Sequence, residues 1–396
     1  MYKVNFIIGT LSGGGAERAI SNLSLNLNAD TKKKIILFGK NSKISYPYEG
    51  EIIFLDKLNL NKMYKKIFAF FLRLSNLSKL KKDDPLMVNI SFLEYPNLLN
   101  ILTKKYGKTI ISVRNHMSSK HSRGLKSLFW NSTIKYIYPH ADLIIAVSND
   151  IKRDLITNYK IPEKKIMVIY NSYDINLIEK DSLASIPEEY VHIYKKPVII
   201  TAGRLNKQKG HEHLIKVFYN LIKENKDANL VLLGEGKEKE KLKNLVKTLN
   251  IDQNVFFLGF QENPHNFIAK SEAFVMTSLF EGFPNALAEA MACKTPIIST
   301  DCPSGPREIL APNEIDEKEI DYKNLKERYG ILIPTFSNTE SNENYNLNYE
   351  EKFLLDKIRF LLDNPNVKHY FSEKSWLRIQ DFDIKSIKEQ WESIIE

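Results

Sequence analysis

The chain has 396 residues, more than one hydrophobic core ordinarily organises, which points to two domains. Its 43% hydrophobic and 27% charged content, with few glycines and prolines, is that of a folded protein and excludes a low-complexity chain. The formal net charge of +9 favours anionic partners such as nucleotides, nucleic acid or acidic lipid, and says nothing about fold.

The N-terminal "MYKVNFIIGTL" has a short apolar run that stops at glycines, so it reads as a first strand rather than a signal peptide. Further strands are expected at Ile35–Phe38, Ile52–Leu55, Met87–Ser91, Thr109–Val113, Leu143–Val147 and Ile166–Ile169. Helical patterns separate most of them, including Ala16–Leu27 and Asn149–Asn158. Strand-helix alternation implies parallel βαβ units in a doubly wound α/β sheet. Charge and proline rise over 174–196, and the linker is placed at 179–196. The scheme then restarts with strand Val198–Thr201, a glycine loop, helix Glu212–Glu224 and strands at Leu230–Leu233, Val255–Leu258, Ala273–Thr277 and Pro296–Ser299. Residues 337–350, polar and asparagine-rich, are expected as a mobile loop. Ile384, Ile387, Trp391 and Ile394 fall at helical spacing and predict a closing helix. The expected organisation is a Rossmann-like domain over 1–178, the linker, a second Rossmann-like domain over 197–380, and the closing segment 381–396.

No run reaches the roughly 18 apolar residues that a spanning helix needs. Between Lys57 and Lys82 there are eight Lys/Arg and no acidic residue, interleaved with aromatic and aliphatic side chains. Such a helix can lie on an anionic membrane surface, or it can bury its apolar face in a core with its lysines solvated. The two cysteines, Cys293 and Cys302, lack CxxC or Cys/His metal spacing, so they are expected to be reduced structural thiols in a cytoplasmic protein.

Open parallel sheets bind ligands at the carboxyl ends of their strands. The loop after the first strand, "TLSGGGAERAI", places Gly14 and Gly15 before a helix. It is either a plain tight turn or a close approach to a phosphate or sugar at the helix N-terminus. In "AGRLNKQKG", Arg204 and Lys209 are either two solvated cations or a clamp for a diphosphate. In "SLFEGFPNALAEAMACKTPIIST", Pro284 suits the first turn of a helix. Glu281 then precedes the helix and Glu289 lies inside it. The free N–H groups of Asn285, Ala286 and Leu287 sit between them. The glutamates serve the helix dipole, or they accept hydroxyls on either side of an anion.

"EGFPNALAEAMA" resembles the E-x7-E motif of family 4 glycosyltransferases, a retaining family of GT-B fold. "SGGGAER", "AVSND", "VIYNSYD", "AGRLNKQKG", "LLGEG", "FFLGF" and "CPSGPREIL" agree in order, so the likeness runs from Gly13 to the closing helix. It implies two Rossmann-like domains facing across a cleft, the first binding acceptor and the second a nucleotide sugar, with the final helix returning to the first domain. Carried over, Glu281 holds the donor sugar's hydroxyls, Glu289 the ribose, and Arg204 and Lys209 the leaving diphosphate. Phe283, Asn285, Ala286 and Leu287 line the sugar and phosphate pocket. Gly14 and Gly15 close over it, Gly234 belongs to the donor-binding set, and Phe260 is a candidate for the base pocket.

A family histidine near the donor sugar aligns with Arg114 in "IISVRNHMSSKH", with His116 two positions later; either residue is a candidate for the role, and His121 stands further along. No metal or cofactor is expected, because the one D-x-D, Asp381–Asp383, lies outside any strand-end loop. The resemblance implies a UDP-hexose or UDP-N-acetylhexosamine as donor and a lipid-linked oligosaccharide as acceptor. Bacterial enzymes of O-antigen, capsule, lipopolysaccharide or glycan synthesis show similar forms. The expected place is the inner face of the cytoplasmic membrane, reached peripherally through residues 57–82. The competing readings are a GT-B-fold epimerase or phosphorylase and a non-catalytic nucleotide-sugar-binding protein. Nucleic acid is not expected as a partner, since no recognised binding motif is present.

Overall fold

The computed structural model describes residues 2–40, 42–56, 63–121, 124–315, 317, 319–337 and 346–396, with the side chains of 63–66 and 125 excepted. The chain forms two compact units, Met1–Tyr173 with Phe382–Glu396, and Asp174–Asp381.

The first unit holds a seven-stranded parallel sheet. Its strands are β1 (Lys3–Ile7), β2 (Lys32–Gly39), β3 (Glu51–Asp56), β4 (Val88–Phe92), β5 (Thr109–Val113), β6 (Leu143–Ala146) and β7 (Ile166–Val168). The order is β3-β2-β1-β4-β5-β6-β7, so the winding reverses between β1 and β4. The second unit holds β8 (Val198–Ala202), β9 (Asn229–Leu233), β10 (Val255–Gly259), β11 (Ala273–Met276), β12 (Ile297–Thr300) and β13 (Ile331–Ile333). Their order, β10-β9-β8-β11-β12-β13, repeats the scheme with its reversal between β8 and β11. Strands such as β5 and β9 are buried at every residue, as expected when helices cover both faces of a parallel sheet. Each fully buried aliphatic side chain contributes roughly 1.5–3 kcal/mol. β13 (Ile331–Ile333) lies beyond the strands expected from the sequence.

The closing helix, Ile384–Ile395, buries Ile387, Trp391, Ile394 and Ile395 in the core of the first unit, and Trp391 stacks on Phe92. Tyr173 and residues 382–384 exchange two backbone hydrogen bonds, which pins the returning strand of chain where the first pass leaves. The stretch 179–196, expected as a linker, packs into the second unit. Asn229 Nδ2 donates to Ile193 O at 2.6 Å, and Tyr194 OH donates to Phe267 O at 3.0 Å. Its charge and proline mark an exposed surface, not a lack of packing. Of the loop expected at 337–350, residues 338–345 lie outside the described residues, and helix Tyr349–Asp363 begins inside its end behind an Asn348/Glu351 capping box.

Candidate active site

In the second unit the loops after β8 and β11, on either side of the winding reversal, are sewn together. Leu279 N donates to Gln208 O, Gln208 Nε2 to Phe280 O, and Thr277 Oγ1 to Lys209 O. The close fit depends on glycine. Gly210 has φ +62° and a Cβ there would lie 2.1 Å from Thr277 O. Gly234 has φ +127°, and a Cβ would lie 2.0 Å from Gly203 O. Gly234 therefore lets the loop after β9 pack backbone to backbone on the loop after β8.

This scaffold brings Lys209 and Glu281 together. Lys209 Nζ donates to Glu281 Oε1 at 2.5 Å, and Ser278 Oγ donates to the same oxygen at 2.6 Å. The Lys209 stem crosses Gly203, where a Cβ would approach its Cε to 3.3 Å. The 72-residue separation hides this pair from any local pattern, and Ser278 was not singled out in the sequence. Its place at the end of a strand, three residues before a carboxylate, is the only signal there. Arg204 is exposed and its guanidinium has no ion pair among the described residues. The two cations thus stand differently: Lys209 is held, and Arg204 is free to meet an incoming anion.

Helix Asn285–Ala292 starts one residue later than expected, with Pro284 at its N-cap in extended backbone. Leu287 and Met291 are fully buried and anchor it in the core. Phe283 and Leu287 point inward as packing residues, while Asn285 and Ala286 are half-buried at the helix start. At Leu287 only the main chain is therefore available to a ligand. Glu289 is buried, with Oε2 3.9 Å from His265 Nε2, and His265 Nδ1 lies 3.5 Å from Asp181 Oδ2. His265 was not anticipated. Phe260 follows β10 and is 71% exposed, so this unit does not enclose its ring.

The cysteines are free and buried. Burial, then Glu289 and Asp181, push the Cys293 thiol up; burial, then Glu281, do the same to Cys302. Both stay protonated near neutrality and act as small core residues. The D-x-D carboxylates also have structural roles: Asp381 pairs with Arg378, and Asp383 caps the closing helix by accepting from Lys385 N.

In the first unit Gly14 is the N-cap of helix Gly15–Asn26 and is buried, while Gly15 is exposed. Arg114, just past β5, donates to Asn171 Oδ1 and lies over the Phe92 ring at 5.4 Å. Burial lowers its pKa to about 10, against the pull of Tyr173 and Glu17, so it remains a cation at neutral pH. His116 shares a 2.8 Å hydrogen bond through Nδ1 with Ser119 Oγ, and its Nε2 stands 3.9 Å from Asp150 Oδ2. The two candidates therefore have separate sets of partners.

Residues 57–62 of the basic segment lie outside the described residues; helix Met63–Asp83 follows. Two of its cations face inward. Arg73 pairs with Asp56 beneath Phe38, and Lys81 Nζ donates to Asn100 O and Oδ1 at 2.9 and 2.6 Å. Ile67, Phe68 and Phe71 are 59%, 60% and 62% exposed, with Lys79 and Lys82 further along the exposed side. Among the described residues no helix is long and apolar enough to cross a membrane.

Comparison with known proteins agrees with this geometry. Residues 13–177 match the family described as Glycosyltransferase Family 4, and residues 184–334 match Glycosyl transferases group 1. An uncharacterized glycosyltransferase of Methanocaldococcus jannaschii is 35% identical over 92% of this chain and 88% of its own. The N-acetylgalactosamine-N,N'-diacetylbacillosaminyl-diphospho-undecaprenol 4-alpha-N-acetylgalactosaminyltransferase of Campylobacter jejuni is 31% identical over 97% of this chain and 96% of its own. Anabaena HepE, solved in complex with UDP-glucose, superposes with a TM-score of 0.74 at 16% identity, over 100% of this chain and 99% of that one. The chain belongs to the glycosyltransferases of GT-B fold, with a family 4 domain in its first half and a group 1 domain in its second.

Proposed function

We propose that the protein is a retaining, metal-independent glycosyltransferase that moves a hexose or N-acetylhexosamine from a UDP-sugar to a lipid-linked oligosaccharide. The observation that carries this reading is the Lys209–Glu281 pair at the β8/β11 winding reversal, beside the start of helix Asn285–Ala292. Glycosyl transfer breaks the bond between the anomeric carbon and the diphosphate oxygen and forms one to an acceptor hydroxyl oxygen. Negative charge grows on the leaving diphosphate while the sugar becomes cation-like. Lys209 and Arg204 neutralise the first, helped by the N–H groups of Ala286 and Leu287 in the first turn of the helix. Glu281, oriented by Ser278 and Lys209, accepts the sugar hydroxyls, and Glu289 accepts the ribose hydroxyls. The acceptor proton passes to a leaving phosphate oxygen on the same face of the sugar. Arg114 or His116 takes the place of the family histidine beside the donor sugar.

The Campylobacter relative's printed name, a transferase acting on an undecaprenol diphosphate, supports a lipid-linked acceptor, and the UDP-glucose complex of HepE supports a UDP-sugar donor. Such an acceptor sits in a membrane. The exposed Ile67, Phe68 and Phe71, with Lys79 and Lys82, suit peripheral contact with the anionic inner face of the cytoplasmic membrane. A thermal-shift series with UDP, UDP-hexoses and UDP-N-acetylhexosamines tests the donor. Mass spectrometry of a donor-by-acceptor screen on lipid-linked glycans, with NMR of the new anomeric proton, tests transfer and retention. Absence of stabilisation by any uridine diphosphate, or an inverted anomeric centre, contradicts the reading.

A further inference from the structure

Glu289 lies inside helix Asn285–Ala292 and is buried. A carboxylate taken out of water is costly unless polar groups face it. One such group comes from a separate element. Helix His265–Ala269 follows β10, and its first residue is also buried. His265 turns Nε2 toward Glu289 Oε2 at 3.9 Å and Nδ1 toward Asp181 Oδ2 at 3.5 Å. Asp181 belongs to helix Ile175–Ser182, so three helices meet at this imidazole. At these distances the two contacts are electrostatic, longer than formed hydrogen bonds.

The neighbours of His265 already hold the packing here. Asn263 Nδ2 donates to Asp181 O, Asn266 Nδ2 to Ser185 O and Lys270 Nζ to Ala184 O, each at 2.8 Å. Lys294, just past helix Asn285–Ala292, pairs with Glu179 at 3.2 Å. These four contacts dock residues 179–185 without the imidazole. What His265 adds is a link from Asp181 to Glu289. The two carboxylates gather at one place: after burial, Glu289 and then Asp181 push up the Cys293 thiol at the end of the helix. Carboxylates so placed repel one another. A ring that turns one nitrogen to each offsets that repulsion and limits the directions the Glu289 carboxylate can take.

We propose that His265 is a positioning residue for the nucleotide: backed by Asp181, it holds the Glu289 carboxylate in the orientation that accepts the ribose hydroxyls. This rests on the UDP-sugar reading above. The test is calorimetric titration of the full chain with UDP and with 2′,3′-dideoxyuridine diphosphate, which lacks both hydroxyls. Wild type should favour UDP about 30-fold, as expected when hydroxyls bonded to a carboxylate are removed. His265→Phe keeps a ring of similar size without its nitrogens and should cut the preference to about threefold. Asp181→Asn removes the backing charge and should cut it to about tenfold. His265→Gln returns an N–H near the position of Nε2 and should recover at least about tenfold. The ratio of the two affinities is a quantity that a purely structural role would leave unchanged. Melting curves establish that the variants are folded. Asp181, whose side chain is 36% exposed, tolerates substitution and decides the matter if His265→Phe does not fold. An undiminished preference in folded His265→Phe and Asp181→Asn overturns the positioning role and spares the UDP reading. A wild type that binds both nucleotides alike does the same. A wild type that binds neither overturns the UDP reading, and the positioning role with it.

Discussion

Replacing Glu281 by alanine removes the shared acceptor of Lys209 and Ser278, whose donors lie 2.5 and 2.6 Å from Oε1. A hydrogen bond to a charged group contributes about 1.5–3 kcal/mol, so the two together set a ceiling near 6 kcal/mol. The Lys209 side chain keeps 20% of its exposure and can turn toward water. That relaxation brings the expected loss of stability to about 2 kcal/mol. In a unit the size of the second one this lowers the melting temperature by about 4–8 °C, well short of unfolding. The rate should fall much further. Losing one preorganised group at the reacting centre costs about 10²–10³ in kcat. A double-mutant cycle with Lys209→Met separates the effects, because two groups acting as one unit should show a coupling of about 1–3 kcal/mol in both stability and rate. The assays are calorimetric melting and initial rates of transfer by mass spectrometry. Full transfer by folded Glu281→Ala, or a cycle with no coupling in rate, would refute the role given to the pair.

Three further outcomes are expected. Gly234→Ala places a Cβ 2.0 Å from Gly203 O at φ +127° and should cost about 3 kcal/mol, whereas Gly13→Ala, at φ +74° with nothing within 4 Å, should cost about 1 kcal/mol; equal melting temperatures for the two contradict the loop packing. Burial, partly offset by Asp142, lowers the pKa of Lys81 to about 7, below its unfolded value. The unfolded chain therefore binds more protons between about pH 7 and 10, and this group's contribution to stability rises with pH there, by an amount on the order of 5 kcal/mol, and is flat below pH 7. Denaturant titrations of wild type and Lys81→Met over that range check this, and parallel curves for the two rule it out. Replacing both Phe68 and Phe71 by serine should weaken binding to anionic vesicles at least about 100-fold in co-sedimentation, since each exposed ring gains roughly 1.5–3 kcal/mol on burial; undiminished binding means that another surface meets the membrane.

The local placement of the candidate residues was legible because they lie in short strand-end segments. Glu281 precedes the expected helix and Glu289 lies inside it, and Arg204 and Lys209 sit in the expected loop. What local sequence hides is pairing across distance. Lys209 on the Glu281 carboxylate, and Asp181 near His265 near Glu289, join residues from elements far apart along the chain. The side of a residue is also hidden. Phe283 and Leu287 read as pocket lining and are packed inward, and Arg73 and Lys81 read as part of a basic surface and are buried.

The sequence by itself determined the alternation of strand and helix, the two sheets, and a closing helix with Ile387 and Trp391 on one face. These follow from hydrophobic period and from glycine and proline placement, which act over a few residues. Only the tertiary structure decided which strand ends become neighbours. The order β3-β2-β1-β4 and its repeat β10-β9-β8-β11 put the loop after β1 beside the loop after β4, and the loop after β8 beside the loop after β11. The pairing of Lys209 with Glu281 is set by that adjacency, because contacts across a parallel sheet depend on strand order and register rather than on separation along the chain.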